Sequence, residues 1–393
     1  MHQGDALAPR RPSLRNDPRV RSVFFQSVVV ALVLALAAFL IHNTLTNMAR
    51  QGIATGFSYL DREASFEIGE SLIAYSPADS YGRALLVGLL NTLLVAGLGI
   101  VLSTVLGAAI GIARLSANWL LRTLALWYVE ALRNVPLLLQ LIVWWDLLRV
   151  SAPAPREAWQ PLPGVFVSVR GIVFPVPAAS PVYKFMGLAF LAALVLSLAI
   201  AGWARYRRHA TGKAFPSFAL GGSLMAGLPL GVFLLGGAPW AWQWPSLRGF
   251  NFSGGASLSP EFAALLFGLV AYTAAFTAEI VRSGIQGVSR GQSEAAQALG
   301  LRRGQALRLI ILPQALRIIV PPLLSEWLAL TKNSSLAIAI GFPELMSITN
   351  TTLNQTGQAV EAIALMMGIY LAISLVTSLA TNWFNHRIAL VER

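Results

Sequence analysis

Ser289-Arg290-Gly291-Gln292-Ser293-Glu294-Ala295-Ala296-Gln297-Ala298-Leu299-Gly300, running on through Arg302 and Arg303 to Ile310-Ile311-Leu312-Pro313, is the stretch on which the architecture turns. Ser289 followed three residues later by Gln292 has the spacing of a capping box, and Gly300 suits a left-handed helix stop. Between them the spacing predicts one short helix of small, weakly polar side chains. Arg302 and Arg303 open a second helical stretch, closed near Pro313, which turns the chain back toward apolar sequence. A short helix with its alanines exposed is a poor lipid anchor. It is a good ridge for another protein's groove, because small side chains allow close backbone approach.

The surroundings of this stretch are membrane. Of 393 residues, 56% are hydrophobic and 12% charged, with a mean hydropathy of +0.64. Soluble domains carry about 25% charged residues, so this chain cannot cover a water-facing surface, and disorder is excluded on the same grounds. The composition predicts an all-α, polytopic membrane protein. With no cysteine there are no disulfides or thiolate sites, and the four histidines (His2, His42, His209, His386) lie far apart. No metal site or cofactor is expected. The net charge of +12 fits basic loops against anionic membrane lipid better than nucleic acid.

A spanning helix needs roughly 20 mostly apolar residues. Eight segments qualify: 22–42, 84–113, 122–148, 183–203, 217–237, 261–282, 316–341 and 358–384. The tail 1–21 carries Arg10, Arg11, Arg15, Arg19 and Arg21 and should stay cytoplasmic. Eight crossings then put Arg114 and Arg122, the 205–213 loop, 282–317 and the tail 386–393 on the same side. The acidic loop 43–83 and the Lys/Arg-free 342–357 fall on the other. Two outward loops, within 151–182 and 238–260, are rich in Pro and Trp, which reads as anchoring at headgroup level.

With the spans placed, the opening stretch acquires a likeness. Glu294-Ala295-Ala296, three residues, Gly300, nine residues, Ile310, one residue and Leu312-Pro313 resembles the EAA loop of the permeases of type I, MetI-like, bacterial ABC importers. The resemblance implies that the loop is a coupling helix docking in a cleft of separate ABC ATPase subunits. Gly291-Gln292 ahead of the triplet, Glu279 with Arg282, Glu130-Ala-Leu-Arg133-Asn-Val-Pro136-Leu-Leu-Leu-Gln140 and Lys332-Asn333-Ser334-Ser335-Leu336 are similar to the polar amino acid branch. Among these, the larger permease subunit of alphaproteobacterial general L-amino acid, or glutamate/glutamine/aspartate/asparagine, importers is the nearest likeness. It implies a transmembrane type-1 domain over 84–385, interrupted by an insertion at 151–255 with two added helices. It also implies a second, homologous permease subunit as a heterodimer partner, and a periplasmic amino-acid-binding protein.

Charges inside the bilayer need partners or a water-filled path. Glu130 and Arg133, three apart, can pair locally or serve substrate passage, with Gln140 beyond the Pro136 bend. Lys332, Asn333, Ser334 and Ser335 interrupt the seventh span: Lys332 can meet a substrate carboxylate or lock onto Glu326. Glu361, opening the last span, reads as interfacial. Gly107 and Gly111 form GxxxG, a helix-contact pattern that a permease dimer would bury.

The function expected is a non-enzymatic importer subunit for polar or general L-amino acids. The chain has no G-x-x-x-x-G-K-[ST] phosphate loop, since Gly212-Lys213 lacks both the upstream glycine and the hydroxyl. An ion-coupled secondary transporter of small polar solutes is the competing class; it would leave the 289–300 helix without a partner.

Overall fold

The computed structural model describes residues 18–52, 55–213 and 215–388, which leaves Arg10, Arg11 and Arg15 of the basic tail outside the described part. Two compact units result, one from Met1–Val87 with Ile348–Ile373 and one from Gly88–Ser347 with Ser374–Arg393. The α-helices in chain order are α1 (Pro18–Arg50), α2 (Tyr81–Ala113), α3 (Trp119–Asn134), α4 (Leu137–Arg149), α5 (Pro181–Thr211), α6 (Ser217–Leu235) and α7 (Pro260–Gln286). They continue as α8 (Arg290–Ala298), α9 (Arg303–Ala306), α10 (Leu312–Asn333), α11 (Leu345–Thr356) and α12 (Ala359–Ile388). Among the described residues, seven helical stretches are long and apolar enough to cross a membrane, and an eighth candidate is the pair α3 and α4.

That pair covers the expected third span, and the bend read at Pro136 is sharp enough to split it into two helices. The chain bends by 105° between α3 and α4. Pro136 cannot donate a backbone hydrogen bond and forces Val135 into extended geometry, so one helix must end there. The buried Gln140 side chain then bridges the break, donating to the carbonyls of Leu132 (2.8 Å) and Val135 (2.9 Å). Two further boundaries shift: α1 and α5 run past their apolar cores, so Arg50 and Arg205, Arg207 and Arg208 sit on helix rather than in loops.

Side-chain capping opens three of the described helices. Asn118 accepts from the Leu120 and Leu121 amides to open α3, and Ser180 and Ser259 do the same for α5 and α7, each followed by a proline at the first helical position.

The second unit is built around α7, which buries an almost continuous face of small residues, among them Ala263, Ala264, Ala274, Ala275, Thr277 and Ala278. In lipid, helices associate by close van der Waals packing rather than by hydrophobic burial, so small residues belong at such contacts. Gly107 and Gly111 of α2 supply the matching hollow. A Cβ on Gly107 would lie 2.5 Å from Thr277, and one on Gly111 would lie 2.6 Å from the Ala278 carbonyl. The GxxxG face is therefore spent within this chain, not on a dimer partner. Gly284 of α7 likewise admits Ile319 of α10, whose approach to a Cβ there would be 2.3 Å.

The insertion is not all helix. The Pro/Trp-rich segments pair with each other as short strands: β1 (Trp159–Leu162), β2 (Val165–Ser168), β3 (Gly171–Phe174), β4 (Val176–Pro177), β5 (Trp242–Gln243), β6 (Ser246–Arg248), β7 (Asn251–Ser253) and β8 (Ala256–Leu258). One antiparallel sheet has the order β1-β2-β3-β8, with Ile172 opposite Leu258, and β4-β5 and β6-β7 form two-stranded ribbons. The helices α5 and α6 that these strands border pack chiefly on each other.

In the first unit, Tyr59 is fully buried with its ring edge-on to Tyr81 at 6.2 Å. Glu361, at the start of α12, is buried within the protein, where its carboxylate accepts from the Gly56 amide at 2.9 Å. Burial, and next the Glu361 carboxylate, push the Tyr59 phenol above the usual tyrosine range.

Candidate functional site

The helix predicted from Ser289 to Gly300 forms as α8. Ser289 is its N-cap, with its backbone carbonyl accepting from the Gln292 amide at 3.0 Å, but its hydroxyl caps nothing. The capping box expected at 289–292 is thus not made. Gln292 turns its side chain toward α10 instead, where its Oε1 accepts from Gln314 Nε2 at 3.2 Å. Half of such a box occurs one helix later, with Gln305 Oε1 accepting from the Arg302 amide at 3.1 Å at the start of α9.

Gly300 stops the helix as its sequence position predicts. It adopts φ +72°, its amide donates to the Gln297 carbonyl (2.9 Å), and the Leu301 amide donates to the Ala296 carbonyl (3.1 Å). This is Schellman closure, which satisfies the last carbonyls of a helix that would otherwise fray.

The two faces of α8 differ in chemistry. Gly291, Glu294, Ala295 and Ala298 are all exposed and stand at i, i+3, i+4 and i+7, one face of a helix. Ser293 and Ala296 point the other way, half-buried and fully buried. Exposure of the alanines therefore holds for Ala295 and Ala298 and fails for Ala296, which is the pivot on which the helix rests. The exposed face is a shallow ridge with one carboxylate.

Pro313 does not close the second helical stretch. After α9 the chain makes a π turn over Leu307–Ile311 and continues as α10. Pro313 falls in the first turn of α10, where the widened turn before it removes the clash a proline ring makes with an α-helical carbonyl. Ile310 lies half-buried in the π turn, against which α8 packs, while Leu312 and Pro313 are exposed. Gln314 Nε2 also donates to the Ile310 carbonyl at 3.1 Å. A single side chain thus ties the π turn, α10 and α8 together.

Upstream of α8, Glu279 and Arg282 pair as their spacing predicts, with Arg282 Nε donating at 3.0 Å. A second cation, Arg114 from the end of α2, binds the same carboxylate and was not legible, because its contact spans 165 positions of sequence.

The polar residues of the spans are less unified than expected. Gln140 is committed to the α3–α4 bend. Ser334 is buried and donates to the Thr331 carbonyl at 2.7 Å, and Ser335 donates to that of Lys332 at 2.7 Å. These two hydroxyls smooth the passage from α10 into a 3₁₀ segment, Ser334–Ile340. Among the described residues neither Glu130 with Arg133 nor Glu326 with Lys332 forms an ion pair. Arg133 instead lies 5.0 Å over the Phe276 ring of α7, a cation–π contact that holds it off Glu130. Glu130 and Lys332 are exposed and Asn333 is half-buried. No cluster of metal-ligating side chains occurs among the described residues.

Residues 99–390 match the family described as binding-protein-dependent transport system inner membrane component. The chain is 47% identical over 377 residues to the general L-amino acid transport system permease protein AapQ of Rhizobium johnstonii, covering 96% of this chain and 94% of that one. It is 48% identical over 378 residues to the putative amino-acid ABC transporter permease protein YhdX of Escherichia coli, covering 96% of each. A third relative is the glutamate/glutamine/aspartate/asparagine transport system permease protein BztB of Rhodobacter capsulatus, 42% identical over 413 residues and 96% of each chain. Alignments of that extent leave no room for the loss of a segment as long as 151–255.

Proposed function

We propose a function from one premise: the chain belongs to the family of binding-protein-dependent transport system inner membrane components. It is a multi-pass membrane permease subunit of an ATP-driven importer, and its cargo is L-amino acids, polar or of broad range, as the names of its relatives suggest. ATP hydrolysis belongs to separate ABC ATPase subunits, a periplasmic binding protein delivers the cargo, and a second, homologous permease completes the pathway. Both termini face the cytoplasm, and so does α8.

The observation that carries this reading is α8 itself: a nine-residue helix, closed at its C-terminal end by Gly300, with a ridge of Gly291, Glu294, Ala295 and Ala298 and its other face resting on Ala296. A ridge of small side chains suits the groove of an ATPase; Gln292 ties it to Gln314 of α10, Ile310 lies in the π turn on which it packs, and Leu312 and Pro313, exposed at the start of α10, belong to the same docking surface. An ion-coupled transporter would have no use for it. Lys332, Asn333, Glu130 and Arg133 are the residues through which cargo passes, whereas Gln140, Ser334 and Ser335 shape the helices that carry them.

Glu294→Trp tests the reading. Uptake driven by the binding protein should be lost and co-purification of the ATPase should fall, while the amount of permease in the membrane stays unchanged. Full uptake by Glu294→Trp would sink the assignment of α8.

A further inference from the structure

The insertion contains a cavity that transport does not call for. It occupies about 440 Å³ between α5 and α6, at the end of the hairpin away from Gly212, within the roughly 300–1,000 Å³ range of ligand clefts. Tyr183 and Met186 of α5, Pro229 and Phe233 of α6, and Trp240 and Trp242 of the following turn line it. Pro229 lies inside α6 on the cavity wall, where its ring takes the place of a helical N–H donor. The wall offers almost nothing polar. The one hydroxyl there, of Tyr183, donates to the Pro239 carbonyl at 2.6 Å and is spent on the wall itself. Apart from the indole N–H groups of Trp240 and Trp242 at the cavity's end, a ligand finds little to bond to, so the occupant is an apolar chain.

The surroundings say which chain. Only 6% and 11% of the most apolar windows of α5 and α6 are buried, so in a membrane this hairpin stands in acyl chains. The exposed Trp240 and Trp242 mark headgroup depth at the cavity's end. Lys184, exposed and next to Tyr183, stands at that same end, and Arg170 and Arg248 lie in the segments that enter and leave it. From residue 158 to residue 260 the sequence has no Asp or Glu at all. We propose that the α5–α6 cavity holds one acyl chain of an anionic phospholipid, whose phosphate meets Lys184 at the tryptophan-marked end.

A photoreactive p-benzoylphenylalanine at Met186, irradiated in native membranes with the transporter intact, should yield an adduct of phospholipid mass. An adduct to another polypeptide, or none, overturns the proposal. Native mass spectrometry of the detergent-purified complex gives an independent readout. Ala226→Phe, which fills the cavity and displaces two or three methylenes, should lower retained phospholipid roughly 15- to 50-fold. Lys184→Gln should lower retention of anionic lipid more than that of zwitterionic lipid. Unchanged retention in both variants would equally refute the site, and the crosslink decides the matter if Ala226→Phe does not insert.

Discussion

Gly300 separates backbone strain from steric room at the end of α8. Its φ of +72° lies in the left-handed region, and a Cβ built there meets no atom within 4 Å. Any cost of substitution is therefore conformational. For a residue other than glycine that cost is about 1–2 kcal/mol, and one or two kcal/mol change an equilibrium by a factor of roughly 5–30. Gly300→Ala should thus depopulate the closed end of α8 by that factor, and Gly300→Val at least as much. Asn, whose short polar side chain visits this region, should retain most of it. The core of the second unit does not involve this position, so membrane levels should not change. Binding-protein-dependent uptake of a labelled amino acid, normalised to permease detected in membranes, should rank Gly and Asn above Ala and Ala at or above Val. If Asn and Ala fall equally, glycine is needed for room against a docked partner and the strain argument fails. If Val equals wild type, α8 closure does not matter for transport.

Gly107→Val, whose Cβ would sit 2.5 Å from Thr277, should cost about 1–3 kcal/mol of overpacking and lower the melting temperature in detergent. Gly97→Val, in open space on the same helix, should not. Gln140→Leu strips the Leu132 and Val135 carbonyls of their donor and should destabilise by about 1–3 kcal/mol; uptake lost at an unchanged melting temperature would instead make Gln140 a cargo contact. Tyr59, with its folded pKa raised, contributes stability that is complete below its unfolded value of about 10 and is lost as pH rises through the folded value. Tyr59→Phe should therefore flatten the alkaline limb of melting temperature against pH, and an unaltered limb would remove Tyr59 from that account.

The long apolar helices and the short helix α8 were legible because both rest on local pattern. A run of apolar residues needs no partner to declare itself, and Gly300 sets a helix end through its own φ. What was not legible depends on neighbours remote in sequence. Glu130 and Arg133 have ion-pair spacing, but Phe276, more than a hundred positions away, offers Arg133 a ring. Gln292 has capping spacing, but Gln314 takes its side chain. Gly107 and Gly111 announce a helix contact without saying with which helix, and only the hollow facing Ala274 to Val281 shows it to be internal. The strands escaped for a different reason: at two to four residues each they are too short to show an alternating pattern, and β3 pairs with β8 across the whole α5–α6 hairpin.

These contacts also explain how an insertion of this size leaves the packing of α8 on the core helices intact. A displacement of α8 meets the π turn beneath it and, through Gln292 and Gln314, the first turn of α10. From there α10 engages α7 by way of Ala315 and Ile319 against Val281 and Gly284, a tight contact in which neither helix can move without the other. Trp327 Nε1, donating to Thr104 Oγ1 at 3.0 Å, extends the linkage to α2. The hairpin of α5 and α6 takes no part, since it packs chiefly on itself and joins the rest through short strands. Two added helices can thus surround the core with new surface while the chain of contacts from α8 to α10, α7 and α2 is left in place.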